Sequence, residues 1–197
     1  NWVSPEQSDF EEIKKLVEVN KIGGLIFSIG TTKTHIDWLN KFQSISKTPL
    51  LVTMDAEWGP SQRLSDVFAH PWNMTLGAIQ DNELVKSISK RMAEQNKALG
   101  INYNFSPSVD VNNNSKNPII GNRSFGEDPD NVYRKAKAYI MGHKEAGVFT
   151  SVKHFPGHGD TDKDSHKTLP VISGNIERLN KVELYPFKKL IEDGVVE

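Results

Sequence analysis

Four short apolar runs, separated from one another by longer stretches of helical period, limit the folds open to this chain more than any other feature. They are "GGLIFSIG" (23–30), "PLLVTMDAE" (49–57), "INYNFSPSVDV" (101–111) and "GVFTSVKHF" (147–155). Near-continuous Ile, Leu, Val and Phe between glycine, proline or polar residues is the pattern of strands covered on both faces. The intervening stretches repeat their apolar residues at helical spacing: Phe10, Ile13, Leu16 and Val17 in 10–20, a second helix over 33–45, and Leu84, Ile88, Met92 and Leu99 in 82–99. Helices are also expected over 130–146 and 176–192, and "GVVE" (194–197) reads as the start of a further strand. Strands alternating with crossover helices form a parallel sheet.

Two parallel architectures compete, and the position of the polar residues separates them. Asp55 and Glu57 follow the second run, Asp110 closes the third, and Lys153 and His154 close the fourth. A closed barrel collects chemistry from the ends of several strands, whereas a nucleotide-binding sheet concentrates it in one Gly-rich turn. Neither G-x-G-x-x-G nor a Walker sequence is present. The expectation is therefore an α/β fold, a (β/α)₈ TIM barrel. Eight strands typically need about 250 residues, so the chain reads as a segment covering strands 2 to 5 and the start of 6, without strand 1.

Composition narrows the partners. Lys and Arg total 24 against 25 Asp and Glu, a net charge of -1, which gives no electrostatic reason to expect nucleic acid or an anionic membrane. A small, nearly neutral ligand fits better. No apolar run approaches the roughly 20 residues of a membrane span. The absence of cysteine removes disulfides and thiolate metal sites. It leaves the compartment open between bacterial cytoplasm and periplasm or export.

The densest chemistry lies in "KHFPGHGDTDKDSH" (153–166). His154 and His158 stand four apart, which on a helix would make a metal pair, but Pro156, Gly157 and Gly159 oppose a helix. A loop gathering these histidines and an aspartate around a metal, and a solvated turn, are two readings. A third is proton transfer by "DSH": in extended chain, residues two apart face the same side, so Asp164 can fix the tautomer of His166 and raise its basicity. Arg123 either pairs with Glu127 or Asp128 or offers its fork to a hydroxyl-rich ligand. Trp58 is either an aromatic face for a sugar or a packed rim residue.

"DAEWGPSQRL", "GNRSFGEDP" and "KHFPGHGDTDKDSH", in this chain order with strands between them, resemble glycoside hydrolase family 3, and within it the bacterial exo-β-N-acetylglucosaminidase branch. The resemblance implies that 1–197 is part of a (β/α)₈ catalytic domain without metal or cofactor. It implies removal of terminal non-reducing β-N-acetylglucosamine by retaining double displacement, in a role such as peptidoglycan recycling. His166 would be the acid/base and Asp164 its partner; Asp55, Arg63, Arg123, Lys153 and His154 would bind the sugar. The sequence departs from the family at Trp58, where a second glycine is usual. The family's nucleophilic aspartate lies well downstream of the dyad, and the one aspartate after His166 is Asp193, in a helical stretch, so the nucleophile is expected outside these residues and the fragment is expected to be inactive alone. A β-glucosidase or β-xylosidase of the same family and a non-catalytic sugar-binding module are the competing readings. A fused second domain, or association through open sheet edges, is a further expectation.

Overall fold

The computed structural model describes residues 2–161 and 175–196. Its strands are β1 (Trp2–Val3), β2 (Gly24–Phe27), β3 (Leu51–Met54), β4 (Tyr103–Asn104) and β5 (Phe149–Thr150), all parallel and adjacent in sequence order. Consecutive order without reversal is that of a barrel wall; a doubly wound sheet reverses at a switch point. The helices between strands are α1 (Phe10–Glu18), α2 (Thr32–Ile45), α3 (Asn73–Ala78) with α4 (Asn82–Ala98), and α5 (Pro129–Ala146); α6 (Ile176–Lys181) and α7 (Tyr185–Glu192) follow β5. The chain is a segment of a (β/α)₈ barrel.

Three local expectations are corrected. The segment starts one strand earlier than expected, because Trp2 and Val3 pair with Ile26 and Phe27; two residues are too short a run to register as a strand by pattern. The helix expected over 176–192 is two helices, broken before Pro186, which has no N–H to continue the ladder. Val195 and Val196 belong to no strand among the described residues; Val195 instead packs into the cluster that holds Phe187 and Leu190.

The helices start where side chains satisfy their free N–H groups. Asp9, Asp81, Asp128 and the Thr31–Thr34 capping box cap α1, α4, α5 and α2. One sheet face is covered by them: Val3, Phe27, Met54 and Asn104 are fully buried, and the neighbouring Leu25 and Val52 pack with Ile13, Val17, Leu39 and Phe42. On the opposite, barrel-inner face the aligned row Trp2, Ile26, Thr53, Tyr103 and Phe149 includes exposed aromatics, with Trp2 at 49% and Phe149 at 54%. Asp55 lies two residues beyond Thr53, so it continues this inner face at the C-terminal mouth. Helices α4 and α5 approach so closely at Gly142 that a Cβ there would meet the Lys86 carbonyl oxygen at 2.4 Å.

Candidate active site

The C-terminal ends of β1, β3, β4 and β5 surround a cleft of about 590 Å³ lined by residues including Trp2, Asp55, Trp58, Arg63, Arg123, Lys153 and His154. Beyond β4 and β5 the pairing continues as a single bridge between Ser108 and Lys153, with Val109 N–H donating to Lys153 O at 2.7 Å. This bridge puts the Lys153–His154 pair directly beside Asp110.

One unbroken chain of charges runs across the cleft. Arg63 Nη2 lies 3.0 Å from Asp55 Oδ2, and Lys153 Nζ sits 2.9 Å from both Asp55 Oδ1 and Glu57 Oε1. Arg123 grips Glu57 with both prongs, Nη2 to Oε1 at 2.8 Å and Nε to Oε2 at 3.1 Å. The same Nη2 donates to His154 Nε2 at 3.1 Å, and His154 Nδ1 meets Asp110 Oδ2 at 2.6 Å. With Nε2 accepting, the proton of the neutral ring is on Nδ1 and donates to Asp110. Asp110 is saturated: it also accepts from Ser108 Oγ at 2.9 Å and from His158 N–H at 2.6 Å.

Asp55 and Glu57 face Arg63, Lys153 and Arg123, Asp110 faces His154 and the His158 N–H, and the direction of each carboxyl's shift follows. Burial pushes the Asp55 carboxyl up, but Lys153 and Arg63 outweigh it and hold it below the ordinary range. Burial acts likewise on Glu57, and Arg123 with Lys153 brings it down. Asp110 is also depressed, burial being overcome by the hydrogen bonds it accepts from the His154 ring, the His158 N–H and Ser108. All three are anions at neutral pH, none an acid catalyst.

The five sugar-binding residues expected from the sequence, Asp55, Arg63, Arg123, Lys153 and His154, are thus brought together. Arg123 pairs with neither Glu127 nor Asp128, because the 3₁₀ turn Gly121–Arg123 aims it at Glu57. Ser124 Oγ to Asp110 O at 2.6 Å and Asn73 Nδ2 to Arg123 O at 2.8 Å hold that turn. Asp164 and His166 lie outside the described residues. The loop leading toward them is held at its base, with Asn117 Nδ2 donating to His158 O at 2.6 Å and Asn114 Nδ2 to Asp160 O at 2.9 Å. No three His, Asp or Glu side chains form a metal-ligand group among the described residues, and no helix there is long and apolar enough to cross a membrane. Asp193 is turned away on the helical surface, accepting from Tyr133 Oη at 2.6 Å and pairing with Lys137 at 2.9 Å.

Sequence reasoning read Glu57, with Asp55, as a ligand-facing charge at a strand end and gave Asp110 no role; Glu57 is instead fully buried against Arg123 and Lys153. The structure makes them the buried anions that orient the cations and His154. A deeper layer was missed: Asn104, on β4, accepts from Ala56 N–H at 3.0 Å and donates to Ala56 O at 3.0 Å, while Tyr139 Oη donates to Glu57 O at 3.0 Å. Their signal was an Asn within an apolar run and a Tyr on a buried helix face, both common in cores.

The glycosyl hydrolase family 3 N terminal domain matches residues 2–197. Beta-hexosaminidase A of Pseudoalteromonas piscicida is 35% identical over 194 residues, covering 92% of this chain and 32% of that protein. A Cellulomonas fimi protein named beta-N-acetylglucosaminidase/beta-glucosidase is 31% identical over 188 residues, 95% of this chain and 33% of its own. The solved family 3 beta-N-acetylglucosaminidase of Paenibacillus sp. str. FPU-7 superposes with a TM-score of 0.88 at 38% identity, over 98% of this chain and 38% of that one. The chain spans about a third of the length of these proteins. By sequence and by fold, this chain belongs to the N-terminal domain family of glycoside hydrolase family 3.

Proposed function

We propose that this domain serves a retaining β-N-acetylhexosaminidase that removes terminal non-reducing β-N-acetylglucosamine, with glycans such as those derived from peptidoglycan as substrates. The observation that carries the reading is the Asp55–Lys153–Glu57–Arg123–His154 chain at the mouth of the parallel strands. It sets charged donors and acceptors, fixed before any ligand arrives, around a cleft sized for a sugar. The names of the Pseudoalteromonas, Cellulomonas and Paenibacillus proteins support the same substrate class.

In this reading Asp55, Arg63, Lys153, Arg123 and His154 hold the hydroxyls of the terminal sugar. Asp164 orients His166, which protonates the glycosidic oxygen as a carboxylate attacks the anomeric carbon. His166 then takes a proton from the water that releases the glycosyl-enzyme. One proton carrier serves both steps. The resemblance to the family implies a nucleophilic aspartate downstream of the dyad, and Asp193, the one aspartate after His166, is on the outer surface, so the attacking aspartate is assigned to a part of the protein outside residues 1–197. A fused further domain belongs to the same proposal.

The test is turnover of aryl N-acetyl-β-glucosaminide, β-glucoside and β-xyloside by the complete protein carrying this domain. Preference for the N-acetylglucosaminide, with a loss of roughly 10²- to 10⁴-fold in His166→Ala, is expected. Unchanged activity in that variant would remove the acid/base assignment. Preference for glucoside or xyloside would move the domain to the family's other branch, and sugar binding without turnover would make it a binding module. The purified 197-residue segment should not turn over.

A further inference from the structure

Beneath the charged chain runs a line of buried polar groups to which the proposed chemistry gives no task. Ser89 on α4, Asn104 on β4 and His143 on α5 are each fully buried. Polar groups are costly to bury unless each is paired, and these are paired with a definite polarity. Ser89 Oγ donates to Tyr139 O at 2.6 Å, so at its 2.8 Å contact with His143 Nδ1 it accepts. The ring proton is therefore on Nδ1, and Nε2 keeps a lone pair. Asn104 Nδ2 gives one hydrogen to that lone pair at 3.0 Å and the other to Ala56 O at 3.0 Å. Asn104 Oδ1 accepts from Ala56 N–H, also at 3.0 Å. One carboxamide thus grips both main-chain groups of Ala56.

Ala56 is the link between Asp55 and Glu57, so its backbone angles set the directions of both carboxylates. Asp55 holds Arg63 and Lys153, and Glu57 holds Arg123 and Lys153. An Asn104 carboxamide turned end for end would set its NH₂ against Ala56 N–H and its oxygen against Ala56 O. The bare Nε2 of His143 also repels that oxygen, whereas an Nε2–H would attract it and favour the turned form.

We propose that His143 is a positioning residue for the sugar site. Its Nε2 sets the orientation of Asn104, and Asn104 sets the main chain from which Asp55 and Glu57 project. The inference rests on the proposed reading of the charged chain as the terminal-sugar site. His143 lines no part of the cleft; it acts from the helix layer, through the sheet. An ordinary core histidine would contribute its volume, whereas here the acceptor at Nε2 governs sugar affinity.

The experiment titrates the complete protein and three variants with N-acetylglucosamine, following the heat of binding. His143→Leu fills the space without an acceptor, and affinity should fall about fivefold to tenfold. His143→Gln brings a carboxamide oxygen toward the Nε2 position, and affinity should return to within about twofold of the wild type. Ser89→Ala keeps the ring but frees its tautomer: nitrogen NMR should show His143 Nε2–H beside Nδ1–H, with affinity about two- to threefold weaker. Wild-type affinity in His143→Leu, or equal weakening in the Leu and Gln variants, overturns the positioning role and spares the sugar site. A wild type that does not bind N-acetylglucosamine overturns the sugar site and the positioning role together. If thermal melting shows His143→Leu to be unfolded, Ser89→Ala decides, and wild-type affinity there overturns the role.

Discussion

Arg123 and Glu57 meet as a two-pronged ion pair in which the carboxylate is fully buried and the guanidinium keeps 20% of its surface in the cleft. The pair works as a mount: the buried anion fixes the direction of a cation that remains available to a ligand. Lys153 shares the same carboxylate and reaches on to Asp55, so Glu57 anchors two of the proposed sugar contacts at once.

Replacing Glu57 with Gln should therefore weaken both stability and binding. Losing one partner of a buried pair typically costs about 3–5 kcal/mol, and the solvent still reaching Arg123 and Lys153 places the expected value toward the lower end. N-acetylglucosamine affinity should fall by about tenfold or more, because two cations lose their orientation. Urea denaturation and sugar titration measure the two effects. A variant as stable and as tight-binding as the wild type would show that Glu57 orients nothing.

Asp110→Asn tests the tautomer of His154. Asp110 accepts hydrogen bonds from Ser108 Oγ and the His158 N–H and one from the His154 ring. A carboxamide keeps one acceptor and turns an NH₂ toward a donor. Nitrogen NMR should show the Nδ1–H form of His154 alone in the wild type and a mixture with Nε2–H in the variant. Sugar binding should weaken as the Arg123 to His154 contact is lost. A single unchanged tautomer in the variant would mean that Arg123 suffices to set it.

Much of this was legible in the sequence, for a physical reason. Strand-end residues of a barrel converge at one mouth whatever the helices do, so placing Asp55, Asp110, Lys153 and His154 after apolar runs was enough to gather them. The partners of Arg123 were not legible, since sequence proximity favours Glu127 and Asp128 while the turn at Gly121 sends the side chain to Glu57. Strand β1 was not legible either: Trp2 and Val3 are a strand only because Ile26 and Phe27 lie beside them.

Acid should destabilise the domain in two separate windows. Burial holds the His143 imidazole neutral, its pKa pulled down to about 3 from an ordinary 6.5. Its Nδ1 meets Ser89 Oγ at 2.8 Å and its Nε2 accepts from Asn104 Nδ2 at 3.0 Å. The unfolded chain therefore binds the extra proton as pH falls below 6.5 while the folded one does not, and stability declines toward pH 3, by about 2 kcal/mol at about pH 5. Buried His35, also lowered, acts in the same direction. Asp55, Glu57 and Asp110 contribute the opposite kind of group: their stabilisation is present above the ordinary carboxylate values near 3.8 and 4.5 and is lost below them. His143→Gln should flatten the urea midpoint between about pH 7 and pH 5 and leave the steeper loss below about pH 4. An undiminished slope in the upper window would assign it elsewhere.

Tyr139→Phe isolates the layer beneath the site. The hydroxyl donates to Glu57 O at 3.0 Å and lies 3.0 Å from Ser106 Oγ, wholly out of solvent. Its removal leaves a carbonyl and a hydroxyl unsatisfied without changing the ring's packing, a defect of about 1–3 kcal/mol. That loss alone would suit any core tyrosine. The particular expectation is that sugar affinity also falls, by a few-fold, because the Glu57 main chain is freed and its carboxylate carries Arg123 and Lys153. Combining Tyr139→Phe with Glu57→Gln separates the two accounts: if Tyr139 acts through Glu57, the double variant binds sugar no worse than Glu57→Gln alone, whereas additive losses would show that Tyr139 supports the site by another route.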